Sequence, residues 1–184
     1  GIRQVPDGYK IVATAIGPLA VNKVLFKSLG YDPETDLEPI TPTAVLSNVV
    51  TVSNKSGLKS LKELVDFAKA NPDKLTYSSV GVGSTQHLAG ALLCAMAGIE
   101  MTHVPYRGGT APMTDLLGGR CHVVFSDMPI ALPHAKSGKA RALAVTSAMR
   151  TPLVPEMPTI AESGLPGYGL ENSWGVMAQK GVPK

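Results

Sequence analysis

Tyr77-Ser-Ser-Val-Gly-Val-Gly-Ser-Thr-Gln-His87, followed by an apolar run to Ile99 and then by His103-Val-Pro-Tyr-Arg-Gly-Gly109, decides how this chain is read. Lys74–Ser78 has the pattern of a strand and runs into a glycine-punctuated turn. Ser84 or Thr85 then stands ready to cap a helix whose Leu88, Ala91, Leu92, Ala95, Met96 and Ile99 fall at helical spacing. Gly81 and Gly83 allow close backbone approach. The first free N–H groups of the helix point out of the turn along a favourable dipole, so a carboxylate fits there. The next strand, Met101–Pro105, ends in Tyr106-Arg107-Gly108, and Cys121–Phe125 ends in Ser126-Asp127, which is placed to cap the helix that follows. Polar loops at the carboxyl ends of strands lie on the edge where open α/β sheets bind ligands. The loops Ser84-Thr85-Gln86, Tyr106-Arg107-Gly108 and Ser126-Asp127 therefore predict one wall of a small-anion site.

Outward from this stretch the pattern alternates. Val49–Val52 reads as a strand, and Ser60 with Glu63 makes a capping box for a helix carrying Leu61, Leu64, Val65 and Ala68 on one face. Thr110–Leu117 reads as a helix closed by Gly118-Gly119, and Ala140–Val145, apolar apart from Arg141, as a strand lying mid-sheet with both faces covered. Strand and helix alternate from Val49 to Thr146 in the manner of a parallel α/β sheet. Before this region, Tyr9–Ala13 is a short strand with nothing upstream to pair with. Thr14–Pro18 reads as a loop, and Leu19–Leu29 carries helix-like spacing. Leu37–Leu46 is held extended by Pro39 and Pro42. After Arg150, prolines and glycines give an extended path with a short helix at Thr159–Ser163. Tyr168–Ala178 follows as a strand whose Trp174 reads equally as packing or as a ligand platform.

Composition narrows the function. At 184 residues with 44% hydrophobic and 17% charged residues the chain is long enough for a real core and argues against disorder. A net charge of +3 spread along the chain, without a basic helix, argues against nucleic acid as a partner. No stretch approaches the roughly 18 apolar residues of a membrane span. Cys94 and Cys121 match no metal or redox spacing and read as two buried reduced thiols, with a disulfide open to them if the protein is exported. His87, His103, His122 and His134 lack metal-motif spacing and read as packed or surface residues. Gly81-Val82-Gly83 fails as a dinucleotide motif because Gln86 stands where the third glycine belongs. Ser84 is no nucleophile elbow, since Val82 and Gln86 occupy its flanking glycine positions. No cofactor is implied. Arg107 fits two roles equally, a bidentate clamp on a carboxylate or a partner for a surface acid.

At these residues the chain resembles the extracytoplasmic substrate-binding receptors of tripartite tricarboxylate transporters, the Bug-type family. The resemblance is carried by Pro6-Asp7-Gly8-Tyr9, Tyr31-Asp32-Pro33, Tyr77–Ser84 with His87-Leu88, and His103–Gly108. Asp115–Gly119, Leu143–Ser147 with Arg150, and Met157–Gly167 extend it. It implies an α/β fold like that of type II periplasmic binding proteins, with one near-complete α/β lobe and part of a second. Residues 1–44 would be partial lobe one and crossover, 45–168 lobe two with a parallel sheet, and 169–184 the return crossover.

The same resemblance implies a non-enzymatic periplasmic receptor for a di- or tricarboxylate or acidic amino acid, working with membrane transporter subunits. Thr14, Ala15, Ile16, Gly17, Gly81, Gly83, Ser84, Thr85, Gln86, Tyr106, Arg107, Gly108, Ser126 and Asp127 would face the cleft. Family members start with a further strand and glycine-rich loop, end in a further helix and carry a secretion signal. The sequence is therefore expected to be truncated at both ends, with weakened affinity and apolar surface that leaves room for a homodimer. Two other classes stand beside this one: the effector domain of a LysR-type regulator, which would follow a DNA-binding helix-turn-helix, and an acyl-transfer or hydrolytic enzyme, which would need a working nucleophile.

Overall fold

In the computed structural model, which describes residues 6–183, these residues form two compact units, 6–46 with 172–183 and 47–171. The boundaries fall two to three residues beyond the expected divisions at 44/45 and 168/169. Strand β2 (Leu37–Ser53) carries the chain from one unit into the other as a single 17-residue strand, where separate extended segments at Leu37–Leu46 and Val49–Val52 were expected. Its two halves differ as the sequence dictates. Glu38–Thr43, around Pro39 and Pro42, is exposed, whereas Ser47–Ser53 is buried throughout.

In the first unit, β1 (Ile11–Ala15) pairs antiparallel with β7 (Glu171–Gln179), and β7 neighbours β2. The partner that β1 lacks upstream thus arrives from the far end of the sequence. Thr14 and Ala15, expected in a loop, are strand residues opposite Gly175 and Trp174. The helix expected at Leu19–Leu29 is a π-helical turn at Gly17–Val21 continued by the short α1 (Asn22–Leu25), and it stops before Phe26, whose backbone is extended. Helix α2 (Pro33–Asp36) is capped by Asp32, whose carboxylate accepts from the Glu34 N–H at 3.0 Å.

The second unit is a sheet in the order β6–β2–β5–β3–β4, made with β3 (Thr76–Ser79), β4 (Thr102–Pro105), β5 (Val123–Asp127) and β6 (Ala140–Val145). It is mixed rather than parallel. β3 runs parallel to β4 and β5, but β2 is antiparallel to both β5 and β6, because it enters from the other unit and not through a helical crossover. Side chains alternate between faces along each central strand. Val50, Val52, Val123 and Phe125 pack on one face with α3 (Leu61–Ala70) and α4 (Thr85–Ala97). Val49 and Val124 pack on the other with α5 (Ala111–Gly118) and α6 (Met128–Lys136). Burial on both faces is what makes these strands read as continuous apolar runs. Among the described residues, no helix is long and apolar enough to cross a membrane.

Three local expectations change. β6 is not mid-sheet: it pairs with β2 on one side, and on the other only Val145 is bridged, to Thr159. Thr159–Ser163 is a hydrogen-bonded turn instead of a helix. In it Thr159 and Glu162 satisfy each other's N–H groups at 2.9 and 3.0 Å, and Arg150 grips the Glu162 carboxylate at 2.8 Å. Asp127 stands at the start of α6 without capping it through its side chain.

Candidate functional site

The parallel arrangement of β3, β4 and β5 brings Ser79, Pro105 and Asp127 to one edge of the second unit, with the expected ligand loops just beyond them. Two of these loops are tied together directly. The Tyr106 N–H donates to the Ser79 carbonyl at 3.0 Å and the Gly108 N–H to the Val80 carbonyl at 3.1 Å. The turn between β3 and α4 is shaped by Gly81 (φ 142°) and Gly83 (φ 83°), backbone conformations that a side chain disfavours.

Ser84 is the cap. Its Oγ accepts from the His87 N–H at 3.2 Å and donates to the Gly81 carbonyl at 2.7 Å, so its single proton is engaged within the turn. This leaves the N–H groups of Thr85 and Gln86, at the first positions of a 13-residue helix, without acceptors inside that helix. Their geometry suits an anion. The side chains of both residues are buried.

A cluster that the sequence did not announce supports the turn from beneath. The Ser79 hydroxyl accepts from the Gly81 N–H at 3.2 Å, donates to the Gly81 carbonyl at 3.1 Å, and meets His103 Nε2 at 2.8 Å. The His103 ring stacks between Tyr77, 4.8 Å away, and His87, 4.3 Å away. His87 Nδ1 accepts from the Gly83 N–H at 3.3 Å. Burial lowers both imidazoles below the ordinary histidine value; His103 falls to about 4, with His87 adding to the effect. The expectation of packed histidines gave no hint of this role, because the residues that meet are separated by up to 24 positions.

The remaining candidates behave differently from one another. The Tyr106 hydroxyl donates to Asp115, whose carboxylate also receives Arg120 Nε at 2.9 Å and Nη2 at 2.6 Å. That donation pushes the phenol up to about 12. Among the described residues, Arg107 is exposed and holds no ion pair, so its guanidinium stands available. Ser126 is buried at the end of β5, and the Asp127 carboxylate accepts from Asn48 Nδ2 at 2.8 Å. Asn48, wholly buried, also accepts from and donates to Thr146 through its backbone at 2.9 Å each way. The polar pair Ser47-Asn48 just ahead of the apolar Val49–Val52 was the available signal for this second cluster.

Thr14, Ala15, Ile16 and Gly17 lie in the first unit, at the end of β1 and the start of the π-helical turn. There Trp174 lines an apolar cleft of about 350 Å³ with Ile16, Pro39, Pro42 and Met177. Another cleft, of about 570 Å³ with Lys59, Lys136, Arg141 and Glu156 around it, lies at the opposite end of the second unit's sheet, where Ser53 pairs with Ala140. Cys94 and Cys121 are free thiols; Cys121 is buried as expected, whereas Cys94 is only half-buried. Among the described residues no group of three or more potential ligands could hold a metal ion.

Comparison with known proteins gives a consistent result. Residues 2–184 match the family model described as tripartite tricarboxylate transporter family receptor. A curated relative, the UPF0065 protein in the tcbD-tcbE intergenic region of Pseudomonas sp. strain P51, is 37% identical over 97% of this chain and 53% of its own length. The solved structure of R. palustris Rpa4515 with adipate superposes with a TM-score of 0.95 at 36% identity, covering 100% of this chain and 61% of that one. MatC (Rpa3494) from Rhodopseudomonas palustris with bound malate gives a TM-score of 0.90 at 26% identity over 99% of this chain and 62% of that one. The chain spans about half the length of the curated relatives it matches.

Proposed function

The chain belongs to the tripartite tricarboxylate transporter family of receptors, and on that premise we propose that it binds a small organic acid, of the dicarboxylate, tricarboxylate or acidic amino-acid class. Receptors of this family are periplasmic solute-binding proteins. The reading extends to the whole protein, which would work in the periplasm and pass its ligand to membrane subunits of a tripartite transporter.

The observation that carries the reading is the TM-score of 0.95 to a protein solved with adipate, taken with the turn in this chain that suits the same chemistry. One carboxylate of the ligand would accept from the Thr85 and Gln86 N–H groups, where helix geometry and dipole both favour negative charge. Gly81 and Gly83 allow the approach. Arg107 would reach the ligand as a free guanidinium, and the backbone of Tyr106–Gly108 would form the adjoining wall. The Ser84 hydroxyl would act only as the cap that keeps those N–H groups open. Ser126–Asp127, in the same unit, would supply a further part of the ligand's surroundings.

Calorimetric titration of adipate, malate, citrate and aspartate tests this, run on the chain and on the complete protein that carries it. At least one ligand should bind the complete protein saturably, and Arg107→Gln should weaken that binding about tenfold, the scale of one charge-assisted hydrogen bond. No binding of any of the four by the complete protein would overturn the proposal.

A further inference from the structure

The Gly83 N–H points at Nδ1 of His87, 3.3 Å away. An imidazole nitrogen can accept that bond only when it carries no proton, which assigns His87 the tautomer with hydrogen on Nε2. Across the stack, 4.3 Å between centroids, His103 Nε2 faces the Ser79 hydroxyl at 2.8 Å. A neutral His103 with hydrogen on Nε2 donates to Ser79. That leaves the hydroxyl proton for the Gly81 carbonyl and the hydroxyl lone pair for the Gly81 N–H. Every proton in the chain from His103 through Ser79 to Gly81 then has one acceptor.

We propose that His87 and His103 form a proton-gated latch on the glycine turn, holding Gly81–Gly83 in its anion-receiving shape only while Nδ1 of His87 is unprotonated. A proton added there converts the acceptor of the Gly83 N–H into a donor facing that same N–H, and the turn must open. The proposal rests on reading the turn as the ligand site.

The surroundings favour such a switch. The titratable group packed against the pair is the Tyr77 phenol, 4.8 Å from His103, and Tyr77 in turn feels the Cys94 thiol of α4. Burial pushes both up, so both stay neutral. Among the described residues neither imidazole has an ion-pair partner. Charge on either ring is therefore opposed by burial, and charge on one ring opposes charge on the other. His87 and His103 act as positioning residues, through the turn.

Two measurements test the latch, a titration of the chain and affinities of the complete protein that carries it. Nuclear magnetic resonance titration should show His87 as the Nε2–H tautomer at pH 7 and His103 titrating near 4, with the Gly83 amide moving at the midpoint of His87. Adipate affinity should fall about tenfold in His87→Ala and return in part in His87→Asn, whose amide oxygen can accept the Gly83 N–H at any pH. The ratio of unmodified to His87→Asn affinity should drop about tenfold one pH unit below the His87 midpoint; protonation of adipate itself cancels in that ratio. A hydrogen found on Nδ1, a Gly83 amide indifferent to the ring titration, or a ratio independent of pH would overturn the latch. If the rings and Gly83 titrate together while neither the chain nor the complete protein binds adipate or the other three acids, the latch stands and the organic-acid reading fails.

Discussion

Gly83 and Ser84 are neighbours in the chain, held in place by different physics. Gly83 is fixed by its φ of 83°, where a side chain costs about 1–2 kcal/mol, while Ser84 is fixed by a hydroxyl that bonds at once to Gly81 and His87. Gly83→Ala should therefore lower stability by about 1–2 kcal/mol in urea unfolding. The same strain should shift the turn enough to remove measurable dicarboxylate binding. Unchanged affinity would mean that the turn tolerates the strain without moving. At this scale the turn was legible, because glycine spacing and a serine ahead of an apolar run have local causes. The support beneath it was not. Ser79, His87 and His103 meet only through the parallel pairing of β3 with β4, and no spacing in the sequence encodes that meeting. Asn48 and Asp127, 79 positions apart, were hidden for the same reason.

At the scale of elements, α4 lies against β3 through a glycine. A Cβ at Gly90 would stand 2.2 Å from Cε2 of Tyr77, a ring that itself stacks on His103. Alanine would gain about 1 kcal/mol in helix propensity and lose more to overpacking in a core with no slack. Gly90→Ala should cost about 1–2 kcal/mol net, read as a lower urea midpoint with unchanged slope, and should disturb the ring signals of His103. Stabilisation by the substitution would show that α4 can lift from the sheet cheaply. Strand β6 marks the limit of reading elements from pattern. An apolar run looks the same whether its second side meets another strand or, as here, a turn that reaches it at Thr159 alone. The expected parallel sheet failed similarly, since β2 owes its direction to the other unit and not to its own residues. Half of the capping box of α3 was read correctly: Ser60 Oγ accepts the Glu63 N–H at 3.1 Å, but the Glu63 carboxylate accepts from the Lys59 N–H at 2.7 Å and not from Ser60.

For the molecule as a whole, the half-buried imidazoles make acid a destabilising condition above the range where carboxylates titrate. His103 binds a proton near 6.5 when unfolded and near 4 when folded, and His87 shifts in the same direction. The unfolded chain thus holds more protons between these values. The associated stability is fully present above pH 6.5 and is lost as pH falls toward 4; solvent screening of the half-buried His103 ring trims it to on the order of 2 kcal/mol. Urea unfolding across this window should show that slope, and His103→Gln should flatten it; an equal slope in the variant would place the proton uptake elsewhere. The α/β class and the family were legible at this scale, because motifs from Pro6 to Gly167 are local and numerous. The division at 46/47 has no mark in the pattern of elements, since β2 crosses it without a break in secondary structure.

Trp174, the single tryptophan of the chain, stands in β7 of the first unit, partly exposed at 39%. Tyr77, Tyr106 and Tyr168 belong to the second unit. Indole emission therefore reports one unit by itself. Excitation at the red edge of the aromatic band, where tyrosine is dark, follows the unit that holds Thr14–Gly17, and near-ultraviolet absorbance of the tyrosines is weighted toward the unit that holds the glycine turn. One unlabelled sample thus carries an indole channel confined to the first unit beside a tyrosine signal that mixes both, since Tyr9 and Tyr31 also belong to the first unit.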